Sequence, residues 1–87
     1  MEDTIKRIQK MEMYFDFLQN AYNLFGSEVR SEIWFNDLLN ILINYYEGEL
    51  WKADYEADEQ GLLPDDLKRG ILSEDGLYNF LGVLEER

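Results

Sequence analysis

Several acidic side chains follow one another closely in the middle of the chain, with a spacing similar to that of a calcium-binding loop. Asp54, Glu56 and Asp58 would occupy the first, third and fifth positions of such a loop, where Ca²⁺ takes carboxylate oxygens. The sixth position holds Glu59 instead of the glycine needed at the bend, and the twelfth holds Asp65 instead of glutamate. Because this segment also has helical character, we expect a solvated acidic face and no metal site.

The chain lacks the residues of the commonest catalytic chemistries. It contains no histidine and no cysteine, so the usual general base, the thiolate nucleophile and the commonest transition-metal ligands are missing. Two carboxylates could act together as in glycosidases, but any such pair has little diagnostic weight among 19 acidic residues. A chain of 87 residues also has little room for a deep pocket. We therefore expect no enzymatic activity and no cofactor.

The two tryptophans suit either packing or binding. Trp34 lies on the apolar side of a predicted helix, and we expect it in the core. Trp51 has polar neighbours, so it could be a core residue or an anchor for a partner. Tyr55 follows four residues later and is expected to stack on Trp51 along one helix face. Lys68 and Arg69 form a small basic spot, which we expect to pair with nearby acids.

The candidate interaction surface combines the acidic segment with this basic spot. Its residues are Trp51, Asp54, Tyr55, Glu56, Asp58, Glu59, Lys68 and Arg69. Residues 26–61 contain nine acids and two bases, whereas residues 1–25 contain four acids and three bases. The negative charge is thus concentrated in the part of the chain that contains most of this surface.

Apolar residues that recur every three or four positions predict four helices. Their predicted ranges are 3–25, 28–47, 49–60 and 74–85. Glycines are expected to end the first three helices, and serines to cap the second and fourth at their N-termini; these residues are Gly26, Gly48, Gly61, Ser27 and Ser73. Past Glu12, the first helix carries a second apolar stripe, consisting of Tyr14, Phe17, Ala21 and Leu24.

These helices predict an all-α fold in a single domain over residues 1–87. The short connection at Gly26 and Ser27 favours an antiparallel hairpin of the two long helices. The short third helix and the C-terminal fourth helix then pack across this hairpin, joined by a turn in which Leu63 and Leu67 are buried. The apolar arc of the second helix spans about 200°, twice what one-sided packing requires, so we expect it to be covered on two sides.

The net charge of −11 limits the possible partners and the location. Phosphate backbones and anionic lipids repel such a chain, which argues against nucleic-acid and membrane binding. The longest apolar stretch, residues 38–46, is interrupted by Asn40 and Asn44 and is too short to span a bilayer. The N-terminus does not have the pattern of a secretory signal, and a small secreted domain usually contains disulfides. We expect a cytoplasmic protein.

The segment WKADYEADEQGLLPDDLKRGILSEDGLY, residues 51–78, resembles the core block of a family of small bacterial proteins. That family is known as domain of unknown function 4298, and the Tyr-Tyr-Glu-Gly segment at residues 45–48 fits it too. The resemblance implies a stand-alone cytoplasmic protein of about this length with a long helical N-terminal half. It implies no activity, ligand or catalytic residue.

We therefore expect a non-enzymatic protein–protein interaction module that binds another protein or forms a homodimer. The surplus of apolar and aromatic side chains in a small chain without catalytic residues favours this function. An alternative is an acidic regulator that mimics nucleic acid and blocks a basic protein, since a strong negative field steers a cationic partner. A weaker alternative is a metal or small-molecule site near Trp51 and the acidic segment.

Overall fold

All regular elements of the structure are helices. The computed structural model describes residues 2–86, and it contains no strand within them. The four α-helices are α1 (Glu2–Phe25), α2 (Ile33–Tyr46), α3 (Glu49–Glu59) and α4 (Gly76–Glu86), and two 3₁₀ helices occupy Gly26–Ser31 and Gly70–Leu72. The predicted all-α fold is confirmed. Met1 and Arg87, which belong to the predicted domain, lie outside the described residues.

The first helix sets the shape of the molecule. Its 24 residues correspond to a length of roughly 36 Å, close to the longest dimension of 39 Å, while the other two dimensions are 18 Å each. Along its inner face lie Ile8, Phe15 and Leu18, and with them the acidic Glu12. Both 3₁₀ helices and α2 pack against α1, so this helix is the support on which the rest of the chain is arranged.

The second helix begins at Ile33, five residues later than predicted. Residues 26–31 form a 3₁₀ helix instead, which buries Val29. The side-chain amide of Asn36 donates to the carbonyls of Arg30 and Glu32, at 2.8 and 2.9 Å. The N-cap position of α2 is occupied by Glu32, whose side chain makes no capping bond, so Ser27 does not serve as the predicted N-cap.

The third helix ends as predicted, whereas the fourth begins later than predicted. At Gly61 the backbone has φ of 72°, and the N–H groups of Gly61 and Leu62 donate to the carbonyls of Asp58 and Ala57, both at 3.0 Å. This pair of bonds is a Schellman motif. The fourth helix starts at Gly76 and not at residue 74. Residues 74 and 75 form a turn instead, in which Ser73 Oγ accepts a bond from Asp75 N–H at 3.3 Å.

The core draws apolar side chains from every helix, and Leu63 and Leu67 are buried in it as predicted. The expectation that Trp34 lies in the core is wrong, because 40% of it is exposed whereas the adjacent Phe35 is fully buried. Phe35 and Leu42 are seven residues apart on the inner face of α2, and Trp34 is turned about 100° away from Phe35. The expected two-sided cover of α2 is also wrong in part, since Ile33 and Ile41 remain exposed.

None of the helices within residues 2–86 combines the length and the apolar character that crossing a bilayer requires.

Candidate functional site

Asp54 lies at the junction of three helices. It belongs to α3 and is fully buried, and its carboxylate accepts bonds from Arg7 of α1 and Tyr45 of α2. The distances are 2.9 Å from Arg7 Nε, 2.5 Å from Arg7 Nη2 and 2.6 Å from the Tyr45 hydroxyl. The expectation that Asp54 belongs to a solvated acidic surface is therefore wrong, because this side chain faces inward and all its bonds are internal.

Both partners of Asp54 have pKa values raised above their ordinary values, and thus further from pH 7. The hydrogen bond from Arg7 to Asp54 raises the pKa of the guanidinium. Burial, followed by the bond to Asp54, raises the pKa of the Tyr45 hydroxyl well above its ordinary value. Arg7 thus stays cationic and Tyr45 stays neutral near pH 7, so this cluster is suited to holding helices together and not to transferring protons.

Arg69 is similarly committed to the fold. Its Nη1 lies 2.5 Å from Asp58 Oδ1, and its Nε donates to the carbonyl of Leu67 at 3.1 Å. A third bond runs from Nη2 to the carbonyl of Pro64. Arg69 therefore fastens the turn over residues 64–67 to the end of α3. Lys68 pairs with Asp16 of α1 at 3.1 Å, so the prediction that both bases pair with acids is confirmed.

Trp51 contributes to packing between α3 and the segment that precedes α4. Its ring stacks on Tyr55 with centroids 5.1 Å apart and planes at 17°, as predicted. The edge of another ring, Tyr46, lies against it at 5.0 Å, and the indole N–H donates to the carbonyl of Ile71 at 2.9 Å. Trp51 is half-buried, and its N–H donor and its ring contacts are used within the molecule.

The remaining residues of the predicted surface also belong to α3. Glu56 and Glu59 are exposed, whereas Tyr55 and Asp58 are half-buried. The charge of Glu59 raises the pKa of the Tyr55 hydroxyl. Because residues 54–59 are helical, successive acids point to different faces and do not converge as the ligands of a calcium loop do.

A groove that the sequence did not reveal lies between α1 and the turn after α3. One wall is a ridge of α1 side chains, the other is the 64–68 turn, and the enclosed volume is about 540 Å³. The lining residues are Ile5, Gln9, Glu12, Met13, Asp16, Phe17, Asn20, Pro64, Asp66, Leu67 and Lys68. Of the predicted surface, only Lys68 belongs to it. The second apolar stripe of α1, which contains Phe17, was the one sequence signal for this groove.

Glu12 is the unusual member of this lining. Only 7% of it is exposed, and one oxygen accepts the N–H of Ile71 at 2.8 Å. None of the ion pairs between described residues includes Glu12. A buried carboxylate usually has a cationic partner; Lys68, the cation in the same lining, forms its ion pair with Asp16 instead.

From the groove, exposed apolar side chains continue along α1 and onto α2, and two of them, Met13 and Phe17, also line the groove. Met13, Phe17 and Phe25 are 60%, 51% and 62% exposed. The Phe17 ring contacts Trp34 edge-on at 5.7 Å, and Phe25 and Trp34 line one shallow cleft. We call Met13, Phe17, Phe25 and Trp34 the apolar face. Contiguous exposed apolar side chains of this kind mark interaction sites on soluble proteins.

Sequence comparison extends the resemblance of residues 51–78 to nearly the whole chain. The profile of the family described as domain of unknown function (DUF4298) matches residues 8–86. That range contains Glu12, the apolar face and most of the groove, as well as Asp54 and Tyr45, but it begins one residue after Arg7. No curated protein and no solved structure matches the chain significantly. The chain belongs to the family described as domain of unknown function (DUF4298).

Proposed function

We propose that this protein is a non-enzymatic interaction module that binds another protein through its apolar face. The observation that carries the proposal is the contact between Phe17 and Trp34, two large aromatic rings that meet at 5.7 Å while about half of each remains exposed. Aromatic side chains at the centre of an interface commonly supply most of its binding energy. Removing water-exposed aromatic rings from water also stabilises the complex with a partner that covers them.

The internal bonds of the predicted surface support this shift of the binding site to the apolar face. Asp54, Asp58 and Arg69 form ion pairs within the chain, and Trp51 donates to a backbone carbonyl. Contact with a partner would have to replace these bonds, at a cost in free energy. The side chains of the apolar face make no such polar bonds, so a partner can cover them without that cost.

We further propose that the module acts in the cytoplasm of a bacterium. The absence of cysteine from a chain this small supports this location, because small secreted domains usually depend on disulfides. The small cytoplasmic proteins that the 51–78 block resembles support it as well.

Photo-crosslinking in cells tests the proposal. A photoreactive phenylalanine analogue at Phe17 is expected to give an adduct heavier than the chain, because a partner covers this position. The same analogue at Leu50, which is exposed at the start of α3 and away from the apolar face, is the matched control. No adduct from Phe17, or equal adducts from both positions, would contradict a binding site on the apolar face.

The uneven charge favours a second candidate, the acidic regulator that mimics nucleic acid. Seven of the nine acids in residues 26–61 are exposed, namely Glu28, Glu32, Asp37, Glu47, Glu49, Glu56 and Glu59. A basic protein held by these side chains would be crosslinked from Leu50, which follows Glu49, more than from Phe17. Its adduct would also disappear as salt is added. The same experiment therefore separates the two functions.

A further inference from the structure

The groove beside α1 has the dimensions of a site for a helix. Ile5, Gln9, Met13 and Phe17 follow one another at intervals of four residues, so they form a single ridge along α1. The first and the last of them are twelve residues apart, which corresponds to about 18 Å or roughly three turns of an α-helix. Pro64 and Leu67 form the opposite wall. An amphipathic helix can lay its apolar side chains into a channel of this kind.

The charges in the groove specify a cationic occupant. Three carboxylates line it, those of Glu12, Asp16 and Asp66, against the single ammonium of Lys68. Lys68 lies 3.1 Å from Asp16, so it is already paired. Glu12 is 93% buried, since only 7% of it is exposed, and its one bond is to the backbone of Ile71. The lining thus has three acids and one base, and a Lys or Arg side chain from a partner would offset this excess of negative charge.

We propose that this groove binds an amphipathic helix of a partner protein, which packs apolar residues against Met13 and Phe17 and directs a Lys or Arg to Glu12. This inference rests on the proposed function and names the chemistry of the partner. A second copy of the chain does not fit, because each copy carries a net charge of −11. A symmetric contact would also bring the same three carboxylates of both copies together.

Crosslinking from Met13 in the full-length protein, followed by mass spectrometry of the adduct, identifies the segment that occupies the groove. We expect a segment of another protein in which Lys or Arg lies three or four residues from apolar anchors. A neutral or acidic segment, or an adduct of twice the mass of the chain, would overturn the inference. An adduct with another protein at Trp34, which belongs to the apolar face but does not line the groove, would then leave the proposed function standing. No adduct at Met13, Phe17 or Trp34 would reject both.

The role of Glu12 is tested with a synthetic peptide of the mapped segment. Glu12→Gln keeps an oxygen for the Ile71 N–H but removes the charge, and it is expected to weaken peptide binding at least tenfold. Glu56→Gln makes the same change of charge on an exposed position of α3, outside the groove, and is expected to stay within about twofold of the unmodified protein. Equal affinities of the two variants would overturn the inference.

A peptide in which Gln replaces each Lys and Arg makes the test independent of the folding of any variant. We expect it to bind the unmodified protein at least tenfold more weakly than the native peptide. Binding of both peptides with the same affinity would show that the groove does not select a cation.

Discussion

Asp54 connects three helices through one carboxylate. Arg7 provides two donors and Tyr45 provides a third, so all of its side-chain bonds come from other helices. Ion pairs of this kind add little net stability when compared with apolar packing, yet they cost a great deal when one partner is removed. Asp54 therefore acts as a constraint on how α1, α2 and α3 meet.

Asp54→Asn is expected to lower the free energy of unfolding by about 3 kcal/mol. The amide loses one acceptor oxygen and leaves Arg7 without a counter-charge. We expect the low end of the usual range because 23% of the Arg7 side chain is exposed. Urea unfolding followed by circular dichroism measures the effect. Glu56→Gln is the control, with a change within about 0.5 kcal/mol, and a similarly small change for Asp54→Asn would contradict the assigned role.

Tyr45 gives the fold a dependence on alkaline pH. Burial raises the pKa of its hydroxyl above the ordinary value of 10, so the unfolded chain loses this proton at a lower pH than the folded chain does. The contribution of Tyr45 is complete below about pH 10 and is lost as the pH rises further. Unfolding free energies measured from pH 8 to 11 are expected to fall less steeply in Tyr45→Phe than in the unmodified chain.

Tyr78→Phe is the control for this comparison, because Tyr78 is 68% exposed and does not belong to the cluster of Arg7, Tyr45 and Asp54. It is expected to keep the alkaline dependence of the unmodified protein. If Tyr45→Phe keeps it too, other groups are responsible for the loss of stability at high pH.

The two glycines of α4, Gly76 and Gly82, have opposite surroundings. A Cβ on Gly76 would lie 2.8 Å from the carbonyl oxygen of Gly70 and 3.7 Å from a ring carbon of Phe15, whereas a Cβ on Gly82 would meet nothing within 4 Å. The start of α4 is thus in close contact with the second 3₁₀ helix, and its later turn is open on that side.

Alanine at these two positions is expected to change stability in opposite directions. Gly82→Ala should raise the free energy of unfolding by about 0.5–1 kcal/mol, because alanine favours a helix interior. Gly76→Ala should lower it by about 1–3 kcal/mol, because the backbone must move to admit the methyl group. Thermal and urea unfolding of the two variants check this prediction. A gain in both would show that the segment before α4 adjusts freely.

The sequence predicts elements well where a local signal determines them. Gly61 ends α3, and Trp51 stacks on Tyr55 four residues later; both follow from short-range rules. The start of α2 was missed because its N-cap residue, Glu32, makes no side-chain capping bond that would mark the position in the sequence. Asp54 was misplaced on a solvent face because its ion-pair partner, Arg7, is 47 residues away in the sequence. No periodicity reports such distances, so the groove could not be predicted either.

The whole molecule is a rod of 39 × 18 × 18 Å with a net charge of −11. At about 0.01 M salt the Debye length is roughly 30 Å, which exceeds the width of the rod. The charges on two neighbouring copies then repel each other at separations up to this length, although the side chains of the apolar face are exposed. Charge thus opposes self-association, while it attracts a cationic partner.

Sedimentation equilibrium is expected to show a monomer at about 0.01 M salt, where screening is weak. Any self-association should strengthen as salt is raised to about 0.15 M, where the Debye length falls to roughly 8 Å. Phe17→Ser reduces the apolar face without changing the charge, and it should abolish association at the higher salt. A dimer that is already stable at the lower salt would contradict the dominance of repulsion and restore the homodimer as the main assembly.

The long-range partners of α1 have a consequence for the synthesis of the protein. Arg7 and Glu12 emerge early from the ribosome, but Asp54 and Ile71, to which they bind, are made 47 and 59 residues later. Until Ile71 has emerged, the inner face of α1 can be covered by the first 3₁₀ helix and α2, but the place of the second 3₁₀ helix stays open. The native fold therefore cannot be completed while that part of the chain is still in the exit tunnel, and apolar surface of the first helix stays exposed until then.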